Sequence, residues 1–431
     1  MSASGRALGV LVKTFPKISE TFILAELLGL ERAGFDLTIF SLQRPTDAIS
    51  QPAMSRLRAR IIYLGDEAPT AARRLSRHVA AALRSPFAWA SAWQDVALPS
   101  SGLSAPDIDS ALALADALRR HAVPHLHSHF IDRTGAIGQM GARFAGIGCS
   151  LSAHAKDIYL AHPDALRRRL ARARFTTTCT EYNRAALAAV APPGTSLHRI
   201  YHGIDAARFQ AMPALPAAAA DRDDRPVLRL LAVGRLRPKK GFATLLQACA
   251  LLRDRGVAAR CEIVGYGEQR EQLEAMIREL QLEARVELRG KMSHRELIEV
   301  YRQADVFVAP CEIAADGDRD GIPNVLLEAM SMRLAVVSTP VSGIPEIVRD
   351  GFNGLLVPPS DAATLAAALE KLSADPALRY RLGREARRSV LEQFGEEANL
   401  QSLVCLLECC LDDGAPIALA EPAIVEPAVH G

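Results

Sequence analysis

The sequence predicts an α/β protein built of two doubly wound, parallel-sheet domains that face each other across a cleft. Three observations carry that prediction. Strand and helix patterns alternate from residue 7 onward, a stretch without periodicity at 211–226 interrupts them, and the alternation restarts at residue 228. Alternation of this kind builds parallel sheets through right-handed crossovers. The chain has 431 residues, room for two or three ordinary domains, and 49% hydrophobic content suits burial of real cores.

Charge and cysteine usage remove several function classes. A net charge of +2 gives no electrostatic reason to expect nucleic acid. The eight cysteines (149, 179, 249, 261, 311, 405, 409, 410) form no C-x-x-C pair and no metal-like spacing. They read as small buried apolar residues of a reducing compartment. Ala7–Val12 is too short for a signal-peptide core, and nowhere do eighteen apolar residues run together. A cytoplasmic location is expected, with peripheral contact on the inner face of the membrane.

In the first half, Ala7–Thr14 reads as a buried strand, Ile18–Ala33 as a helix closed by Gly34, and Phe35–Leu42 as the next strand. The turn at 15–21 puts Ser19 or Thr21 at the N-cap. It lacks G-x-G-x-x-G, so a nicotinamide cofactor is not expected there. Pro69–Trp93 reads as helical, with Arg73, Arg74, Arg77 and Arg84 beside Phe87, Trp89 and Trp93. An ordinary solvated helix is the plain reading; an anionic membrane surface is the sharper one. The same pair of readings applies to basic Leu166–Arg174.

Ile108–Arg120 is another helix, and His125–Phe130 a strand on which His125, His127 and His129 share one face. A metal would need further ligands, and no second cluster of suitable spacing is evident. Strand-end histidines in a cleft, binding substrate or simply hydrogen-bonded, are the better reading. Cys149–Ala153 is a strand ending at His154, where chemistry gathers in a parallel sheet. Phe175–Cys179 and Ile200–Asp205 complete the half as strands.

Past the linker, Leu228–Val233, Arg260–Val264, Val286–Leu288, Val306–Ala309 and Val336–Ser338 read as strands. Phe242–Arg255, Glu271–Leu280, Leu297–Gln303 and Ala362–Ser373 read as the helices between and after them. Gly351–Val357 reads as a closing hairpin or loop, Pro376–Leu411 as mostly helical and 412–431 as a frayed tail. The expected organisation is a domain at 1–210, a linker at 211–226 and a second domain from 227.

The richest stretch is Asp320-Gly321-Ile322-Pro323-Asn324-Val325-Leu326-Leu327-Glu328. Gly and Pro mark a loop, and from Asn324 the apolar spacing suits a helix. A helix start offers backbone N–H groups to anions, while a carboxylate further in can accept from sugar or ribose hydroxyls. A solvated helix entry with a capping Asp is the bland alternative. The Gly234–Gly241 turn adds Arg235, which grips phosphate oxygens bidentately, and Lys240, a compact point charge. Gly265 and Gly267 let backbone approach a ligand closely. Together these suit a nucleotide-sugar donor better than ATP, for which no G-x-x-x-x-G-K-[ST] loop is present.

Taken in order, these residues resemble the family-4 retaining glycosyltransferases of the GT-B fold. The matching stretches are Phe15-Pro16-Lys17-Ile18-Ser19-Glu20-Thr21-Phe22, His127-Ser128-His129-Phe130, Ser152-Ala153-His154-Ala155-Lys156-Asp157 and His202-Gly203-Ile204-Asp205. They continue through Gly234-Arg235-Leu236, Lys240-Gly241, Gly265-Tyr266-Gly267 and the two carboxylates with seven residues between. The subtype is similar to enzymes of bacterial exopolysaccharide or lipid-linked glycan synthesis. The resemblance implies that Arg235 and Lys240 hold the donor diphosphate and stabilise it as it leaves. It implies that Glu328 binds ribose hydroxyls and Asp320 the transferred sugar, with Gly321, Ile322 and Asn324 offering backbone N–H groups. His154 would lie near the anomeric centre, with Lys17, His129, Lys156 and Asp157 on the acceptor side. No metal or other cofactor is implied, and the acceptor would be a glycan or lipid-linked molecule. Residues 386–411 would cross back onto the first domain.

One residue departs from the family pattern, which most often has Glu where this chain has Asp320. The shorter side chain must move the sugar contact or draw the loop closer. Two other readings share the fold: a nucleotide-sugar epimerase, and a non-catalytic scaffold subunit of a polysaccharide assembly complex.

Overall fold

The computed structural model describes residues 6–17, 20–45, 52–65, 70–205, 209 and 227–412. The expected linker at 211–226, Ser19 and the tail from 413 lie outside the described residues.

The first domain begins β1 (Arg6–Thr14), α1 (Thr21–Arg32), β2 (Phe35–Gln43), β3 (Arg60–Tyr63), α2 (Ala71–Arg84), α3 (Pro86–Ala97) and α4 (Ala105–Arg120). It continues β4 (His125–His129), α5 (Arg133–Ala145), β5 (Gly148–Ala153), α6 (Ala155–Tyr159), α7 (Pro163–Arg172), β6 (Thr176–Thr178), α8 (Glu181–Ala188) and β7 (Leu197–Arg199). Its seven strands run in the order β3-β2-β1-β4-β5-β6-β7, every pairing parallel. Val10, Leu11 and Val12 of β1 are fully buried because helices cover both faces of the sheet.

The second domain repeats the plan with β8 (Leu228–Val233), α9 (Phe242–Asp254), β9 (Ala259–Val264), α10 (Arg270–Glu279), β10 (Val286–Gly290), α11 (His294–Gln303) and β11 (Val306–Ala309). Then come α12 (Asn324–Ser331), β12 (Ala335–Ser338), β13 (Leu355–Leu356), α13 (Ala362–Ala374), α14 (Pro376–Gln393) and α15 (Glu396–Leu411). The six-strand order is β10-β9-β8-β11-β12-β13, again all parallel. Strand order reverses direction between β1 and β4 and between β8 and β11. In open parallel sheets such reversals leave a crevice at the carboxyl ends of the strands, where ligands bind.

Several local expectations are corrected. Gly351–Val357 is not a hairpin: its Leu355–Leu356 pair lies parallel to β12 as an edge strand. Ile200–Asp205 is not a strand, because β7 ends at Arg199 and only Ile204 bridges, to Gly395. Thr21 is the first residue of α1 rather than its cap, and Glu20, which precedes it, makes no side-chain cap bond. The return to the first domain begins at Gly395 rather than 386. Ala386, Val390 and Phe394 are packed in the second domain's core, while Leu403, Val404, Leu406 and Leu407 of α15 pack with β1 and α1. The two interdomain segments are tied together, since Ile204 N–H donates to Phe394 O at 2.9 Å.

The basic segment 167–174 is an internal scaffold. Arg169 is buried and donates to the carbonyls of Ile131 (2.9 Å) and Ser101 (2.8 Å). Arg168 reaches Ser100 and Arg172 reaches Asp95. These cations satisfy loop oxygens and carboxylates of the domain, while Arg167 and Arg174 are exposed.

Candidate active site

The loops after β8 and β11 meet because Gly241 lets them. It has φ +65°, and a Cβ there would lie 1.8 Å from Pro310 O. Thr244 Oγ1 donates to Glu312 at 2.5 Å, and Glu312 N–H donates to Lys239 O at 2.9 Å. The β8 turn is therefore stitched to the segment that carries Asp320.

That stitching assembles a compact charge cluster. Lys240 Nζ stands 2.6 Å from one oxygen of Asp320, and Lys239 Nζ stands 3.2 Å from the other. Lys239 also donates to Asp318 at 2.9 Å. Burial alone would raise the Asp320 carboxyl, but the two ammonium groups override it and hold it down at about 2. Burial works against Lys240, and the Asp320 carboxylate more than compensates, so its pKa lies above the ordinary value. The capping reading of Asp320 is excluded, because the residue before α12 is Pro323 and no side chain caps the helix. Arg235 is half-buried in the same turn, between Gly234 and Leu236.

Further along α12, Glu328 accepts from the Tyr301 hydroxyl at 3.0 Å, which holds its carboxylate in place. Tyr301 is fully buried, and Glu328 is half-buried. Gly265 sits against Gly234, where a Cβ would meet Gly234 O at 1.8 Å, and Gly267 sits against Leu236 in the same way at 2.5 Å. The glycines thus bring the β8 and β9 turns together.

On the first domain, His154 follows β5 and starts α6, with Ser152, Cys179, His202 and Glu26 lining the same cavity. Its ring lies 5.0 Å from those of Phe22 and Phe130 and stacks on His129 at 6.0 Å. Burial, followed by the neighbouring histidines, holds His154 well below the ordinary imidazole value, so it is neutral and its ring nitrogens have no protein partner. His202 is held at about 4, chiefly by burial.

Other first-domain expectations change. His129 is fully buried behind the cavity and contacts Glu26 at 3.2 Å, so it supports the site rather than facing an acceptor directly. His127 contacts Ser150 and Ser152 at 2.8 and 2.9 Å, and His125 contacts Ser150 at 2.9 Å; both are structural. Asp157 is buried and accepts from the backbone N–H of Ile131 and His154, which locks α6 to its strand and turns the carboxylate away from solvent. Lys17 and Lys156 are exposed, and Lys17 pairs with Glu20. Folding also gathers donor sets that sequence spacing hid. His154, Cys179 and His202 bring ligand atoms within 4.8 Å of one another, as do Glu26, His127 and His129.

The two halves face each other closely. Glu346 accepts from the N–H groups of Glu181 (2.8 Å) and Tyr182 (2.9 Å) at the start of α8, and from the Tyr201 hydroxyl (2.9 Å). Arg319 lies 4.3 Å over the Tyr159 ring. A Cβ on Gly321 would be 3.6 Å from Cys179 Sγ, so the Asp320–Gly321 loop abuts the wall of the His154 cavity. Sequence reasoning missed Lys239, Asp318, Tyr301, Glu26 and Glu346. The Lys-Lys pair before Gly241 and the alternating carboxylates at 316, 318 and 320 were the available signals.

Two facing parallel-sheet domains, each reversing its strand order at the crevice, form the GT-B fold shared with solved glycosyltransferase structures. Residues 220–389 match the family model described as Glycosyl transferases group 1, and the chain is an enzyme of that class. It is 29% identical to a putative colanic acid biosynthesis glycosyltransferase, WcaL, of Escherichia coli (strain K12), over 93% of this chain and 99% of that protein. It is 39% identical to the amylovoran biosynthesis glycosyltransferase AmsK of Erwinia amylovora, over 42% of this chain and 44% of that one. Among solved structures, Anabaena HepE in complex with UDP-glucose superposes with a TM-score of 0.69 at 15% identity, covering 93% of this chain and 99% of that one.

Proposed function

We propose that the protein is a family-4 retaining glycosyltransferase. It moves a hexose-type sugar from a nucleoside-diphosphate donor to an acceptor hydroxyl in exopolysaccharide or lipid-linked glycan synthesis. The observation that carries this reading is the Lys239–Asp320–Lys240 cluster at the mouth of the β8/β11 crevice, one loop away from Glu328 and facing the His154 cavity. The colanic acid and amylovoran enzymes named above support the polysaccharide context, and the UDP-glucose bound to HepE supports the donor class.

In this reading Arg235 and Lys240 receive the diphosphate, with Lys240 exchanging part of its contact with Asp320 for phosphate oxygens. The backbone N–H groups at Gly321, Ile322 and Asn324 lie where α12 begins and add to the positive end of the helix. Glu328, fixed by Tyr301, takes the ribose hydroxyls. Asp320, already ionised, takes hydroxyls of the sugar. The neutral His154 borders the reacting carbon as a hydrogen-bonding group, not as an acid. The departing diphosphate helps deprotonate the acceptor on the same face. The protein then supplies position and charge stabilisation, and the reaction runs without a metal ion.

The test is transfer from a panel of nucleotide sugars by wild type, Lys240→Ala and Glu328→Ala, with folding checked by circular dichroism. Each variant loses about tenfold or more of the rate. Wild-type rates in a folded double variant sink the reading. Donor incubated without acceptor stays unepimerised.

A further inference from the structure

Helix α2 is mounted inside out. Arg77 donates to Asp116 at 3.0 Å and His78 contacts Asp109 at 3.1 Å, so its polar side faces α4, and Ala81 is buried between them. Its apolar side faces water. Leu75 is 66% exposed, Val79 50% and Leu83 80%, and Phe87, at the start of α3, is 91% exposed. Leu75, Val79 and Leu83, at four-residue intervals, form one stripe on α2, and Phe87 stands exposed just past the break at Ser85. Exposed Arg73, Arg74 and Arg84 flank it, and no acidic residue occurs between Ala71 and Phe87. Trp89 does not join the stripe; it turns inward and donates to His78 at 3.2 Å.

A surface helix normally buries its apolar face against the core. Four large apolar side chains left outside, three of them in one stripe, mark a surface that another body covers. The charge pattern selects the body. Two copies of this face meeting about a two-fold axis would bring arginines together with no carboxylate between them. An anionic bilayer instead offers acyl chains to the stripe and phosphates to its flanks, the pattern of helices that lie in the membrane interface.

We propose that α2 and the first turn of α3 dock the protein on an anionic lipid bilayer. Leu75, Val79, Leu83 and Phe87 enter the boundary between headgroups and acyl chains, and Arg73, Arg74 and Arg84 pair with anionic headgroups. This goes beyond the glycosyl-transfer reading and does not rest on it. Of the two arginine-rich segments in the sequence, this is the one that carries an exposed apolar stripe; in the other, the arginines at 168, 169 and 172 are engaged within the domain. No helix among the described residues is long and apolar enough to cross a membrane, so attachment is from the side.

The test is flotation of the full chain with vesicles of phosphatidylcholine alone or with about a third phosphatidylglycerol. Wild type floats with the anionic vesicles, about tenfold better than with neutral ones, and less at high salt. Leu83→Glu with Phe87→Glu loses about tenfold of that binding with an unchanged melting temperature, and Arg73→Glu with Arg84→Glu loses it separately. Equal flotation of wild type and both variants overturns the proposal, as does no flotation of wild type on anionic vesicles. A wild-type dimer that Leu83→Glu with Phe87→Glu dissociates, without vesicle binding, overturns it in favour of a second copy.

Discussion

Lys240 and Asp320 form a 2.6 Å ion pair across the crevice where the second sheet reverses its strand order. Lys239 approaches the same carboxylate and also pairs with Asp318, so two acidic groups balance two cations in a largely buried turn. In the proposed reaction an incoming diphosphate meets these cations, Lys240 exchanging part of its contact with Asp320 for phosphate oxygens.

Removing the carboxylate is expected to cost more stability than removing one lysine. Asp320→Ala leaves Lys240 without its main partner and destabilises by about 3 kcal/mol, as for a broken buried pair. Lys240→Ala leaves Asp320 beside Lys239 and costs less, while transfer falls about tenfold or more. Denaturant unfolding beside a rate assay checks both; equal stability loss in the two variants contradicts the cluster's asymmetry.

Tyr301→Phe removes the hydroxyl that holds Glu328 at 3.0 Å. Nucleotide binding should weaken about five- to tenfold, in line with a lost bond to a charged group worth roughly 1.5 kcal/mol. The change should appear in the donor KM rather than in kcat. A variant with unaltered KM and depressed kcat would place Tyr301 elsewhere in the mechanism.

Glu346 belongs to the second domain, yet it caps α8 of the first with two backbone bonds. Glu346→Ala should loosen the closed arrangement. Small-angle scattering should report a larger radius of gyration, kcat should drop about tenfold, and donor binding to the isolated groove should change little. Unchanged scattering and rate would show that closure rests on Arg319 and Tyr159 instead.

The buried imidazoles predict how stability depends on pH. Burial, with Arg174 adding, holds His125 at about 4, burial and then His129 hold His127 at about 3, and burial holds His202 at about 4. In the unfolded chain each titrates near 6.5, so between these values the unfolded state binds more protons. Their contribution is complete above pH 6.5 and falls as pH drops, by about 1.4 kcal/mol per pH unit for each group. Asp320, ionised in the folded state down to about 2, adds to that fall only at the acid end, at and below the unfolded carboxylate value of about 3.9. Melting temperature should fall from pH 6.5 toward 4.5, and His127→Gln should flatten the curve by about one proton.

The sheets were legible because β-branched runs ending at glycine turns announce parallel strands. Helix α5 was not. Its Gly135, Gly138 and Gly141 resemble loop punctuation, yet each sits where a Cβ would come within 3.0 Å of Phe130 O, Leu11 or Leu114. These glycines are there for close packing, which only the fold reveals. At the site, Arg235, Lys240, Asp320 and Glu328 could be named from loop chemistry and from the family's motif. Lys239 and Tyr301 could not, because their roles depend on partners 79 and 27 residues away. For the alternating histidines the period placed them on one face, and only the fold decides between the two readings left open: that face is inside, and His125 and His127 are hydrogen-bonded to serines.

Calorimetric titration of the folded protein with UDP and with GDP addresses the shared groove most directly. One of the two should bind, and Lys240→Ala and Glu328→Ala should each weaken that binding by about tenfold or more. Heat from neither nucleotide, or an affinity indifferent to both substitutions, would contradict the assignment of the β8/β11 crevice as the donor site.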